Sequence, residues 1–163
     1  MELLEMNKIS KSALVAQQAK TWLGTKFKHQ GRLKKNNRFP GGVDCIGLIV
    51  GITRELNICD SNNNPLHKFD RTDYSREPNG NLLREIFDKF LQVEKNSEIK
   101  VGQILLIKFA KHPQHVGVVA EHPEGGFSII HAYQPAGKVV EHRLTEIWQQ
   151  KIVEIYKFKR GSF

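Results

Sequence analysis

Two cysteines in 163 residues are too few for a disulfide framework, and the surroundings of Cys45 and Cys59 differ so much that each is judged alone. No apolar run approaches the roughly 20 residues that a membrane span requires. Prolines number only six, and there is no internal repeat or low-complexity tract, which excludes fibrous and disordered classes. Acidic side chains are the scarcer sign: 17 Asp and Glu stand against 25 Lys and Arg, a formal net charge of +8. That excess favours anionic partners, among which nucleic acid and bacterial cell wall both qualify. The basic residues are dispersed, however, and the densest patch, Arg32-Leu33-Lys34-Lys35-Asn36-Asn37-Arg38, lacks the interleaved aromatics of a single-strand binder. Neither nucleic acid nor membrane is therefore expected as a partner. The N-terminus, MELLEMNKISKSALVAQQAK, has no basic segment followed by an apolar block and a small-residue cleavage site, so synthesis in the cytoplasm without a signal peptide is expected.

What is present suits one globular domain over residues 1–163, with 39% hydrophobic and 26% charged residues. Ser10 is placed to cap a helix running to about Leu23, with Val15, Ala16, Ala19 and Trp22 at helical spacing and Gly24 ending it. From Thr25 to Val43 the chain is basic and rich in Gly and Asn, which reads as a surface loop able to line a site. The stretch from Asp44 to Leu56 is apolar almost all round. Its length favours a buried helix capped by Asp44, with Cys45 at the first helical position and Gly47 and Gly51 giving one face a flat surface. Residues 57–80 are polar and turn-rich, and Leu82, Leu83, Ile86, Phe87, Phe90 and Leu91 then mark an amphipathic helix. Beyond Lys100 the period shortens to that of strands, at about 102–109, 114–121, 127–134, 138–144 and 152–159, with a helical turn at 145–150. Helices first and strands afterwards give an α+β order, with helices packed on an antiparallel sheet of about five strands.

A cysteine attacks as its thiolate, and its reference pKa of about 8.5 falls to roughly 3.5–7.5 at a helix N-terminus or beside a histidine. Cys45 has a claim to both. The free N–H groups of such a terminus also offer donors to a developing oxyanion. Burial in a core is the alternative for any cysteine in an apolar run, and it is the reading that suits Cys59. Cys45 is set apart by His115 and His131 on consecutive strands, where hairpin pairing brings His131 close to opposite His115. One imidazole can then serve as base while the other orients it. Five of the seven histidines, His112, His115, His122, His131 and His142, cluster in this half, which also admits a metal site. Their spacing matches no helix-borne pair, no paired CxxC is present, and His122 and His142 lie in contexts that suggest exposure, so no metal is expected.

At these residues the sequence resembles the NlpC and p60-type cell-wall cysteine peptidases, which are similar to reduced papain-type enzymes. Gly42-Val43-Asp44-Cys45-Ile46-Gly47-Leu48 resembles their nucleophile motif, Gln114-His115-Val116-Gly117-Val118 the base motif, and Ile129-Ile130-His131-Ala132 the segment with the third polar residue. Val101-Gly102-Gln103-Ile104-Leu105 is similar to the start of the strand before the base. Gly24 to Arg32 and Val139 to Leu144 resemble the branch of the family encoded among the tail genes of phages and prophages.

The resemblance implies a papain-like NlpC-type fold with Cys45 as nucleophile, His115 as base and then acid, and His131 orienting His115. It implies Asp44 beside the substrate cleft. Where many members carry a tyrosine whose hydroxyl reaches the reaction centre, this chain has Phe27, and His29 or Gln30 would have to replace that donor. The residue after the nucleophile is Ile46 where serine is usual. The implied reaction is hydrolysis of the bond between D-glutamate and a diamino acid in peptidoglycan stem peptides, through an acyl-enzyme thioester and with no cofactor. The implied setting is a phage tail, with tail proteins as partners. The alternatives are a tail assembly or plug protein that keeps the scaffold without turnover, an amidase or acyltransferase using the same thiol chemistry, and a zinc hydrolase.

Overall fold

The computed structural model describes residues 10–76, 80–159 and 161–163, so the first nine residues of the N-terminal reading and part of the turn-rich stretch 57–80 lie outside it. The elements are α1 (Lys11–Lys20), β1 (Arg32–Leu33), β2 (Gly42–Val43), α2 (Cys45–Glu55), α3 (Leu82–Phe90), β3 (Gln92–Val93), β4 (Ile104–Lys108), β5 (Pro113–Glu121), β6 (Phe127–Tyr133), β7 (Lys138–Arg143), α4 (Glu146–Gln149) and β8 (Ile152–Lys157). Single-turn 3-10 helices at Leu66–Phe69 and Gln134–Ala136 complete the order.

The α+β architecture follows the order in the sequence, with one correction. The sheet has six strands, in the order β3-β8-β4-β5-β6-β7, where about five are expected. The extra strand is only two residues long, Gln92 against Lys157 and Val93 against Tyr156, too short to show an alternating pattern of its own. Its extended form comes from pairing with β8. The same holds for β1 and β2, a two-stranded pair inside the expected surface loop, with Arg32 opposite Val43.

Every pairing in the six-stranded sheet is antiparallel. Alternation along β4 divides its apolar residues between two layers. Ile104 and Leu106 join Val116, Val118, Ala120, Ile130 and Tyr156 beneath the three long helices. Leu105 and Ile107 face the other way with Val119, Ile129 and Ile155, where Trp148 of α4 covers them. This second layer explains why β4 and β5 read as nearly continuous apolar runs.

Helix α1 starts where Ser10 accepts a hydrogen bond from the Ala13 N–H at 3.1 Å. Helix α2 lies deepest, with Ile46, Gly47, Leu48, Ile49, Gly51, Ile52 and Thr53 buried, so it carries no polar face. Its two glycines mark close approaches. A Cβ on Gly47 would fall 2.2 Å from the Gly31 carbonyl oxygen, and one on Gly51 would fall 2.1 Å from the Trp22 ring. The indole cannot readily yield, because Trp22 Nε1 donates to Glu55 Oε1 at 2.5 Å. Substitution Gly51→Ala is expected to cost about 1–3 kcal/mol through overpacking, read as a lower urea midpoint with an unchanged m-value.

Candidate active site

The approach to the site is set by Asp44, which is only 4% exposed. Its Oδ1 accepts from the Gly47 N–H at 2.8 Å, capping α2, and from Arg32 Nη1 at 3.1 Å. Its Oδ2 accepts from the Gln30 N–H at 2.7 Å and from the Tyr74 hydroxyl at 2.5 Å. Four donors fill the lone-pair directions of one carboxylate, which is what a buried charge requires. Arg32 continues the network to Asp70, with Nε on Oδ2 at 2.9 Å and Nη2 on Oδ1 at 3.1 Å. Burial opposes the charge on Arg32, but hydrogen bonds to Asp70 and Tyr74 outweigh it and hold the guanidinium ionised. Burial and the Asp44 carboxylate together push the Tyr74 hydroxyl upward, so it stays a donor.

This network positions the first residue of α2. The Gly47 N–H is taken by the cap and the Leu48 N–H by the Asp44 carbonyl. The N–H groups of Cys45 and Ile46 remain at the helix start, directed at the Cys45 sulfur, and the N–H of Val116 reaches it from β5. His115, the neighbour of Val116 on β5, lines the same cleft of about 430 Å3 as Cys45. Its walls include Phe27, His29, Tyr74, Phe109, Tyr133 and the exposed Arg76.

The thiol is not activated in the way the sequence suggests. Burial, and then the charge of Asp44, push Cys45 up to about 12 against the pull of the three N–H groups. His115 is pushed down to about 3, by burial and then by His142. Both shifts favour the uncharged forms, a thiol and a neutral imidazole. The chemistry open to such residues is transfer of the thiol proton to the ring as the sulfur attacks.

His115 Nε2 lies 2.6 Å from His131 Nδ1, a hydrogen bond between two buried rings. This leaves His115 Nδ1 as the nitrogen for the thiol proton. The register brings the two rings together on one sheet face, as expected from the hairpin. Val118 faces Ile130, and continuing this pairing sets His131 against Gly117, so His115 meets His131 on the diagonal. A Cβ on Gly117 would sit 2.6 Å from the Ile129 side chain and 3.2 Å from His131 Cβ, so the glycine keeps that space open. His131 is fully buried, stacked on Tyr133 at 4.8 Å with Trp148 edge-on at 5.2 Å.

Of the other residues singled out in the sequence, Phe27 and His29 line the cleft, and His29 packs edge-on against Tyr74. Gln30 does not line it: its side chain donates to the Tyr74 carbonyl at 2.8 Å, so it secures that loop instead. Asp44 reaches the cleft wall with both oxygens already engaged. Cys59 sits apart, its thiol donating to the Asn57 carbonyl. His142, expected at the surface, is half-buried and bonds His131. Sequence reasoning missed Arg32 as a partner of Asp44, and also Tyr74, Phe109, Tyr133 and Trp148. Tyr74 lies in a polar stretch with no periodicity, and nothing local marks it. Among the described residues no three His, Cys, Asp or Glu side chains are arranged to hold a metal, since the clustered imidazoles bond one another.

By sequence, no protein-family model and no curated protein matches the chain. Solved structures do match in fold. NlpC2 from Trichomonas vaginalis superposes with a TM-score of 0.60 at 16% identity, over 94% of this chain and 50% of that one. The NlpC/p60 domain of the peptidoglycan hydrolase SagA gives 0.58 at 17% identity, over 91% of this chain and all of that one. An N-acetylmuramoyl-L-alanine amidase from Bacteroides uniformis gives 0.60 at 11% identity, over 91% and 99%. The chain spans about half the length of the two Trichomonas proteins it matches. The fold is the one seen in NlpC/p60 domains.

Replacing Asp44 by Ala removes the cap and strips Arg32 of a buried partner, with an expected loss of about 3–5 kcal/mol in urea unfolding. Asp44→Asn keeps the capping oxygen and should lose less. In a Cys59→Ser background, alkylation of Cys45 by iodoacetamide should rise about tenfold per pH unit toward the raised thiol range, because only the thiolate reacts. A rate plateau between pH 4 and 8 would instead reveal a preformed thiolate and imidazolium.

Proposed function

We propose that this chain is a cysteine peptidase that hydrolyses peptidoglycan stem peptides at the bond between D-glutamate and a diamino acid, as a component of a phage or prophage tail. The carrying observation is the arrangement at one cleft: a cysteine at the start of a buried helix, an imidazole lining the same cleft, and a second imidazole hydrogen-bonded to the first. The fold shared with peptidoglycan hydrolase and amidase structures supports the substrate class. The cleft is large enough for a short peptide. Exposed Arg76 at its rim and the net charge of +8 suit the carboxylates of wall peptides.

In this reading His115 Nδ1 accepts the thiol proton as Cys45 Sγ bonds to the carbonyl carbon. The Cys45 N–H faces the oxyanion that forms. Collapse breaks the C–N bond, and the imidazolium returns its proton to the departing amine. His115 then takes a proton from water, whose oxygen attacks the thioester, and the thiol is restored as the acid leaves. His131 keeps the ring of His115 in the required orientation throughout.

The tail assignment is supported by two segments similar to the phage branch, residues 24–32 and 139–144. They lie side by side: Lys26 bridges Lys138, and the Val139 N–H donates to the Thr25 carbonyl at 2.8 Å. This seam borders Phe27 at the cleft wall.

The test is incubation of the protein with peptidoglycan and with the soluble peptide L-Ala-γ-D-Glu-diaminopimelate, followed by mass spectrometry. Fragments beginning at diaminopimelate are expected from the wild type and none from Cys45→Ala. His131→Ala should retain the fold and lose roughly 100-fold to 10,000-fold in kcat. Release of whole stem peptides from the glycan would move the activity to an amidase. Inertness of wild type and variant alike would overturn the enzyme reading in favour of a structural tail component.

A further inference from the structure

The hydrogen-bonded imidazoles do not end at His131. Its second nitrogen, Nε2, lies 2.9 Å from His142 Nε2, and His142 Nδ1 lies 2.9 Å from the Arg143 carbonyl oxygen. One histidine on each of β5, β6 and β7 thus forms a continuous chain across one sheet face. The register explains the contacts. His131 is opposite Val140 and His142 is opposite Ile129, so His131 and His142 are diagonal neighbours, as His115 and His131 are. Diagonal neighbours stand about 7–8 Å apart, which leaves room for two rings to meet edge to edge.

The polarity of this chain follows from its last member. A carbonyl oxygen only accepts, so His142 Nδ1 carries hydrogen and donates to Arg143. In the neutral ring Nε2 is then an acceptor, and His131 must donate to it from Nε2. His131 Nδ1 is left as an acceptor, so His115 donates from its own Nε2. His115, which lines the cleft, finishes with a lone pair on Nδ1, the state needed to accept the Cys45 proton. Burial, followed by the neighbouring His115 and His142, pushes His131 down to about 2, in keeping with a neutral ring at that position.

We propose that His142 is a positioning residue for the thiol chemistry: anchored on the Arg143 carbonyl, it fixes the tautomer of His131 and through it that of His115. The proposal rests on Cys45 and His115 acting as nucleophile and base. Without an acceptor at position 142, the buried Nε2–H of His131 has no partner on β7, and the Nδ1–H form of both rings becomes accessible. A ring in that form presents a hydrogen to the thiol and cannot take its proton. Glutamine at 142 still offers an oxygen to His131, whereas leucine offers none.

The experiment is two-bond 1H–15N correlation NMR on protein labelled with 15N-histidine, which reports the protonated nitrogen of each ring without requiring turnover. The wild type should show hydrogen on Nε2 of His115 and His131 and on Nδ1 of His142. His142→Leu should convert part of His115 to the Nδ1–H form and lower kcat about tenfold to 100-fold with KM little changed. His142→Gln should restore the wild-type His115 pattern and most of kcat. A wild-type spectrum with hydrogen on Nδ1 of His115 overturns the proposal outright, even if the variants fail to fold. A His142→Leu protein with unchanged His115 signals and unchanged kcat overturns it as well. Failure of the peptidase reading would appear instead as absent hydrolysis with the wild-type tautomers as stated.

Discussion

One carboxylate holds the site together. Asp44 is the helix cap, the partner of Arg32, the acceptor for the loop at Gln30 and the acceptor for Tyr74. A buried carboxylate is tolerated only when it is fully hydrogen-bonded, so the four contacts stand or fall together. Through them three separate stretches of chain, residues 30–32, 44–47 and 70–74, are joined at the N-terminus of α2. Cys45, the proposed nucleophile, is the next residue along. Its position thus depends on the completeness of a neighbouring ionic network more than on contacts of its own.

That arrangement has an electrostatic consequence. The charge that fixes the helix also disfavours a second negative charge on the adjacent sulfur, and burial adds to it. The helix N-terminus and three N–H groups do not offset both. The balance favours the neutral thiol, and the proposed chemistry needs an imidazole with a free lone pair. Burial of that imidazole keeps it neutral, and hydrogen bonds keep it in one orientation. The helix positions sulfur and the sheet positions nitrogen, and the cleft is where the two layers meet.

The elements were legible wherever the apolar period was long. The helix beginning at Leu82, the strands after Lys100, the cap at Asp44 and the close approaches at Gly47 and Gly51 all follow from local sequence. The two-residue strands β1, β2 and β3 do not, because their extended form comes from a partner distant in the chain. Cys45, His115 and His131 stood out as residue types in a suitable order, and the cleft and the ring-to-ring bond bring them together. Gln30 was singled out for the cleft and serves the Tyr74 loop instead, while Tyr74 itself went unmarked. His142 read as exposed from its charged neighbours Glu141 and Arg143, yet alternation turns those side chains away while Trp148 packs against its ring at 4.8 Å.

By itself the sequence determined the fold class, the helix that begins at Cys45 and the strands that carry the histidines, because local periodicity, capping and turn chemistry act between near neighbours. Only the tertiary structure decided the protonation state of the thiol, the diagonal register of the imidazoles and the recruitment of Arg32, Tyr74 and His142. Those depend on burial and on hydrogen bonds between residues far apart along the chain, and neither quantity is a property of a local segment.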